Sequence, residues 1–171
     1  MMTIYLIGFM GSGKSTVGKV LGGRIRGGHA DTDVFIDAQY GTISEIFRIH
    51  GENTFRKYES AALENLSAEH EIVSTGGGIV ERQKNISLMK ANGVIVYLQT
   101  AFTEIQSRLM HDTERPLWNT DMEKKEKLFR RRSQLYQGCA DIAIQTDQKT
   151  PDDIAGEIQE AVEKFLAANK G

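Results

Sequence analysis

The chain has 171 residues, of which 40% are hydrophobic and 26% charged, with a formal net charge of −2 and one cysteine. That length fits one domain with a core of its own, the composition excludes a disordered chain, and the weak net charge excludes a general nucleic-acid or membrane-surface binder. The lone Cys139 excludes an intrachain disulfide framework and a Cys-rich metal site, while the first residues carry no charged leader and no apolar run reaches membrane-spanning length, so a soluble cytoplasmic protein is expected.

The first element is the apolar run Ile4-Tyr5-Leu6-Ile7, read as a buried strand, which stops at Gly8 and continues as Phe9-Met10-Gly11-Ser12-Gly13-Lys14-Ser15-Thr16. This is the G-x-x-x-x-G-K-[ST] phosphate loop, in which a strand feeds a glycine-rich turn that opens a helix. Its glycines let consecutive N–H groups point at an oligophosphate on the positive end of the following helix. Lys14 neutralises β- and γ-phosphate charge, and the Ser15 hydroxyl can ligate Mg²⁺. Gly11, Ser12, Gly13, Lys14, Ser15 and Thr16 are thus the predicted nucleotide cradle, and Val17, Val20 and Leu21 supply the helix spacing behind it.

Gly22-Gly23-Arg24-Ile25-Arg26-Gly27-Gly28 reads as a flexible linker that ends this helix. His29-Ala30-Asp31-Thr32-Asp33 then sets two carboxylates at i and i+2, which share a face if the segment is extended. The same pair could instead cap the helix suggested by Val34, Phe35 and Ile36, and the residues leave both readings open. A helix with Thr42 as cap runs to about His50-Gly51. Another follows from Glu52 to Leu66, its buried stripe being Phe55, Tyr58, Ala62, Leu63 and Leu66. Arg56 beside that stripe reads as a surface salt bridge to Glu52 or Glu59.

Ile72-Val73-Ser74 is a short strand that runs into Thr75-Gly76-Gly77-Gly78. Three glycines there mark either close approach of backbone to a ligand or a flexible loop. A helix over 85–92 leads to Val94-Ile95-Val96-Tyr97-Leu98, a strand apolar on both faces. It ends in Gln99-Thr100 with no acidic residue, which leaves Asp31 and Asp33 as the carboxylates available near a metal. A short helix over 103–110 carries Arg108, the polar stretch 111–120 contains Arg115 and Pro116, and a charged helix over 122–137 presents Lys124 to Arg132, mostly as a solvated basic face. A last strand over 141–145 precedes a helix capped by Thr150, with Pro151 in its first turn. Strands near residues 4, 30, 73, 96 and 143 alternate with helices, which describes a parallel sheet covered on both faces, with ligands at the carboxyl ends of its strands.

With the phosphate loop, Asp31-Thr32-Asp33, Gly51-Glu52 followed by Phe55-Arg56 and Glu59, Gly76-Gly77-Gly78, Arg115-Pro116-Leu117, and Arg132 four residues before Tyr136, the whole chain resembles the shikimate kinase family, a nucleoside-monophosphate-kinase-like group. The resemblance implies a single domain over 1–171 with a three-layer α/β/α P-loop fold, a five-stranded parallel sheet of order 2-3-1-4-5, a mobile lid at about 111–120 and an acceptor-binding helical segment at about 33–60. It implies transfer of the ATP γ-phosphate to the 3-hydroxyl of shikimate, with Mg²⁺, by a cytoplasmic monomer that binds neither nucleic acid nor membrane. Asp31 would then help hold Mg²⁺ through water beside Ser15, and Asp33 would bind the acceptor hydroxyls and take the proton. Arg56, Arg132 and the backbone of Gly76, Gly77 and Gly78 would bind the acceptor. Lys14 and Arg115 would act on the transferring phosphate, with Arg108, Arg115 and Pro151 at the nucleotide. Gly27-Gly28-His29-Ala30 stands where the family usually has an apolar or aromatic residue, which predicts a weak second strand and a loosely held Asp pair.

A kinase for another small hydroxy-acid such as gluconate is the nearest alternative, and the triple glycine with Phe55-Arg56 argues against it. A non-catalytic nucleotide-dependent switch of the guanine-specific kind normally has an N-K-x-D element, which is missing. An RNA binder built on Lys124 to Arg132 lacks interleaved aromatics.

Overall fold

β1, Thr3–Ile7, has no polar face: Tyr5 and Ile7 pack into one buried cluster, Ile4 and Leu6 into another on the opposite side. β4, Gly93–Gln99, does the same, with Ile95 and Tyr97 on the first side and Val94, Val96 and Leu98 on the second. Side chains alternate along a strand, so two buried faces require helices on both sides of the sheet. In the computed structural model, which describes residues 2–110 and 120–169, this is the architecture found.

The sheet is completed by β2, His29–Asp31, β3, Ile72–Ser74, and β5, Ile142–Gln145, in the order β2-β3-β1-β4-β5. All four pairings are parallel, so the carboxyl ends of the five strands share one rim, as the predicted order requires. The described helices are α1, Lys14–Ile25, α2, Thr32–Tyr40, α3, Ile43–Glu69, α4, Gln83–Asn92, α5, Phe102–Leu109, α6, Met122–Cys139, and α7, Pro151–Ala168, with a 3₁₀ turn at Ile79–Glu81. α1 and α7 cover one face; α4 and α6, with the second half of α3, cover the other. Cys139 is a buried part of that second layer. α2 and α3 enclose a third cluster of Ile36, Ile46, Phe55 and Ala62, which forms a small helical lobe beside the rim.

One expectation changes. α1 does not end at Gly22-Gly23 but runs on to Ile25, and Arg26 then closes it in the left-handed region with φ of 53°. Gly22 is spent on packing: a β-carbon there would lie 3.2 Å from the Gly27 oxygen and 3.3 Å from the His29 β-carbon, so the glycine lets β2 lie against α1. α3 is broken where expected, since Gly51 has φ of 80° and ψ of 169°, although helical residues continue on either side. Of the expected lid at about 111–120, residues 111–119, with Arg115, lie outside the described residues.

The segment before the Asp pair is short but tied down. Gly28 N–H donates to Glu71 Oε2 at 2.6 Å, and Ile72 N–H donates to the Gly28 oxygen at 3.0 Å. His29 Nε2 lies 2.9 Å from Ser74 Oγ, whose own proton goes to the Lys14 carbonyl at 2.9 Å. The ring must therefore donate through Nε2, because a hydroxyl has one hydrogen to give. Hydrogen bonds replace the apolar packing that this position lacks.

Candidate active site

The loop between β1 and α1 takes the backbone that its glycines allow, with φ of 79° at Gly11 and 91° at Gly13. Gly13 is the N-cap of α1 and has no side chain to satisfy the first N–H groups, which leaves them to a ligand. Lys14 folds back over the turn, where its ammonium donates to the carbonyls of Gly8 at 2.8 Å and Phe9 at 3.0 Å. The cation is 8% exposed and sits where charge would be needed beside an oligophosphate. Arg108, from the last turn of α5, donates to the Gly11 oxygen at 3.0 Å and to Glu104 at 2.9 Å, which fixes it over the loop.

The two readings of the Asp pair prove compatible for Asp31. Its Oδ1 caps α2 by accepting from Asp33 N–H at 2.9 Å and Val34 N–H at 3.3 Å, while its Oδ2 accepts from the Ser15 hydroxyl. Two oxygen donors, one hydroxyl and one carboxylate, thus meet at the mouth of the phosphate loop, a set that suits Mg²⁺. Among the described residues no three His, Cys, Asp or Glu side chains form a metal cage, so an ion here would take its other oxygens from phosphate and water.

A cleft of about 400 Å³ joins these parts, lined by residues 11–17 together with Asp31, Asp33, Thr75, Gly77, Arg108, Lys149, Pro151 and Ile154. Thr75 and Lys149 were not anticipated. Lys149 bonds Glu157 at 2.8 Å, and nothing in its local sequence separates it from an ordinary surface lysine.

The triple glycine forms a floor beside the cleft, against Asp33, Glu59 and two buried arginines. Gly76 N–H donates to the buried Thr32 hydroxyl at 2.9 Å, so the residue between the two aspartates ties that pair to the floor. A β-carbon on Gly76 would lie 2.7 Å from Glu59 Oε1 and 2.8 Å from Asp33 Oδ1; on Gly77, 3.4 Å from Arg132 Nη1; on Gly78, 2.0 Å from Arg56 Nη1. The three glycines are explained not by flexibility but by close approach of the backbone to the chain's own atoms, where the sequence suggests a ligand.

Arg56 is not the surface residue expected from its helix position. It is 6% exposed, with Nη1 donating to Glu59 Oε2 at 2.8 Å and Nη2 to Glu52 Oε1 at 3.0 Å. Desolvation would lower its pKa, but Glu59 and Glu52 more than offset this and the pKa is raised. Glu59 is 1% exposed, and burial pushes its carboxyl above the usual carboxylate range against the pull of Arg56. Its Oε1 has no hydrogen-bond partner among the described residues. Arg132 also departs from the solvated face of α6: it is 1% exposed and donates through Nε to Glu81 Oε1 at 2.9 Å. Tyr136, one turn on, is fully buried and donates its hydroxyl to the Gly77 oxygen, and burial holds that hydroxyl well above its ordinary pKa.

The predicted residues therefore fall into two groups. The loop, Ser15, Asp31, Asp33, Gly77, Arg108 and Pro151 line the cleft itself. Arg56, Arg132, Gly76 and Gly78 form the adjoining wall and floor. Glu81 and Thr32 had no assigned role because their partners lie 51 and 44 residues away in sequence, beyond the reach of any local pattern.

A family model described as shikimate kinase matches residues 10–163. A shikimate kinase of Sulfurihydrogenibium is 42% identical over 160 residues, covering 92% of this chain and 96% of the relative. One of Bacillus cereus is 41% identical over 164 residues, covering 95% and 99%. Among solved structures, shikimate kinase from Acinetobacter baumannii in complex with shikimate aligns over all of this chain and 96% of its own, with a TM-score of 0.91 and 32% identity.

Proposed function

The chain belongs to the shikimate kinase family, and we infer from this membership that it is a kinase transferring the ATP γ-phosphate to the 3-hydroxyl of shikimate, giving shikimate 3-phosphate and ADP. The observation that carries this reading is the triple-glycine floor, where Gly77 lines the phosphate-loop cleft and two buried arginines, Arg132 and Arg56, lie near the β-carbon positions of Gly77 and Gly78. A carbocyclic acid needs cations for its carboxylate, and planar guanidinium forks suit that group.

On this reading the backbone N–H groups of the loop receive the β- and γ-phosphates, with Lys14 as their cation and Arg108 and Pro151 beside the base. Mg²⁺, bound through Ser15 and, by way of water, Asp31, would neutralise phosphate charge. Arg56 and Arg132 hold the acceptor carboxylate, which turns the hydroxyls towards Asp33. Asp33 orients the 3-hydroxyl and accepts its proton as the oxygen attacks the γ-phosphorus and the bond to the β–γ bridging oxygen breaks. Positioning and charge neutralisation supply most of the acceleration in such a transfer. Arg115 lies outside the described residues, and its role at the γ-phosphate rests on the resemblance alone. Among the described residues no helix is long and apolar enough to cross a membrane. From the family membership, the reading is of a cytoplasmic monomer acting on a small molecule.

A coupled assay of ADP release with Mg-ATP, with and without shikimate, tests this. The expected result is release that depends on shikimate and is not supported by gluconate; release indifferent to shikimate would overturn it.

A further inference from the structure

We propose that Glu81 is a positioning residue for acceptor recognition, acting through Arg132. The proposal rests on the assignment of Arg132 to the acceptor carboxylate. Glu81 ends the 3₁₀ turn that follows the triple glycine, so it is carried by the same short segment as the acceptor floor. Its Oε1 accepts from two consecutive arginines of α6, Arg132 Nε at 2.9 Å and Arg131 Nη2 at 2.7 Å. The two differ in setting: the Arg131 side chain is 58% exposed and that of Arg132 is 2% exposed.

The consequence lies in which donors remain. A guanidinium offers a side-on edge, Nε with one terminal nitrogen, and an end-on edge made of the two terminal nitrogens. Glu81 takes Nε and so closes the side-on edge of Arg132. Nη1 lies against Gly77, and Nη2 is buried with no hydrogen-bond partner among the described residues. The donor left for an incoming carboxylate is thus on the end-on edge. Charge points the same way. Arg131 and Arg132 share the one carboxylate of Glu81, whereas Arg56 alone is paired with both Glu52 and Glu59. Arg131 braces Glu81 from the solvent side and needs no contact with the acceptor.

The test is a double-mutant cycle of Glu81→Ala and Arg132→Ala, with Glu81→Gln as the conservative variant. Dissociation constants for shikimate and for Mg-ATP are measured by equilibrium titration, so that a variant without turnover still reports. Glu81→Ala should weaken shikimate binding about tenfold, the size of losing one charge-assisted hydrogen bond. Mg-ATP binding should change less than twofold, Glu81→Gln should recover part of the loss, and Glu81→Ala should add nothing in the Arg132→Ala chain. If Arg132→Ala weakens shikimate and Glu81→Ala does not, or the two effects simply add, the role of Glu81 is overturned while the acceptor assignment stands. If both variants weaken both ligands alike, Glu81 is structural only and the proposal fails. If neither alters shikimate binding, the assignment of Arg132 fails and takes the proposal with it.

Discussion

A β-carbon on Gly78 would lie 2.0 Å from Nη1 of Arg56, and that guanidinium is pinned by Glu59 and Glu52, so the glycine and the arginine occupy one another's space. Gly78→Ala must therefore break an ion pair or shift the floor, a form of overpacking that costs about 1–3 kcal/mol. It should lose acceptor affinity as well. Gly138, exposed near the end of α6 with nothing within 4 Å of its β-carbon position, is the control, and Gly138→Ala should gain about 0.5 kcal/mol. Urea unfolding of both variants checks this; a Gly78→Ala chain as stable as the parent would count against the packing argument.

The Arg56–Glu59 pair predicts a stability effect separable from function. Arg56→Ala strands a buried carboxylate, and breaking one side of a buried pair costs about 3–5 kcal/mol. Adding Glu59→Gln should restore part of that stability because the neutral amide no longer needs the cation, while shikimate binding stays impaired. Denaturation and shikimate titration on the single and double variants are the measurements. Recovery of shikimate affinity in the double variant would show that Arg56 serves packing alone.

Lys14→Ala should abolish turnover while the fold persists, because the ammonium bonds the loop's own Gly8 and Phe9 carbonyls and the Ser12 hydroxyl, and phosphoryl transfer needs its charge at the β- and γ-phosphates. Steady-state rates with circular dichroism as the folding check decide it, and parent-like turnover would remove the phosphate-loop assignment.

How far the sequence could be read follows from where each partner lies along the chain. The phosphate loop, the Thr42 and Thr150 caps and the break at Gly51 are local, and all are present. The passage of α1 through Gly22-Gly23 was not legible, because each helical glycine costs about 1 kcal/mol on its own and only the tertiary fit against Gly27 and His29 favours it. By its local sequence Arg132 is one more cation in a run, and only the family resemblance singles it out, since α6 must be oriented before one of them turns inward. Glu81 gave no signal at all: an acidic residue after a glycine-rich turn acquires a role only when α6 packs across it.

His29 should make stability depend on pH. Burial chiefly lowers its pKa from the ordinary 6.5, with Lys19 and His70 adding to the effect and Asp31 opposing it. A depressed histidine pKa means that the unfolded chain binds the proton more readily, so stability is fullest above pH 6.5 and falls as pH drops from there to the folded-state pKa. His29→Leu should flatten this dependence over that window, and it should lower stability at pH 8 through loss of the bond to Ser74. Thermal unfolding of both chains across pH 5 to 8 gives the comparison; identical pH profiles would exclude His29 as the source.

The last prediction separates the two aspartates. Asp31 both caps α2 and meets the Ser15 hydroxyl, whereas Asp33 lines the cleft against Gly76 with its Oδ1 2.8 Å from that glycine's β-carbon position. In Asp31→Asn the amide oxygen can still cap, so stability should fall by about 1 kcal/mol or less. The lost charge should instead raise the Mg²⁺ concentration needed for half-maximal turnover, because a carboxylate that orients metal-bound water has been neutralised. Asp33→Asn should behave differently: shape and one acceptor oxygen remain, but neither negative charge nor a proton acceptor is present at the hydroxyl. Mg-ATP binding should therefore be kept and phosphoryl transfer lost, with general-base contributions of about 10²–10⁴-fold setting the scale. Turnover against Mg²⁺, ATP affinity and thermal stability are measured on both variants. If Asp31→Asn leaves the Mg²⁺ requirement unchanged while stability drops, Asp31 is a cap and nothing more. If Asp33→Asn turns over like the parent, the proton-accepting role leaves this pair, and the acceptor hydroxyl must be sought on another face of the cleft.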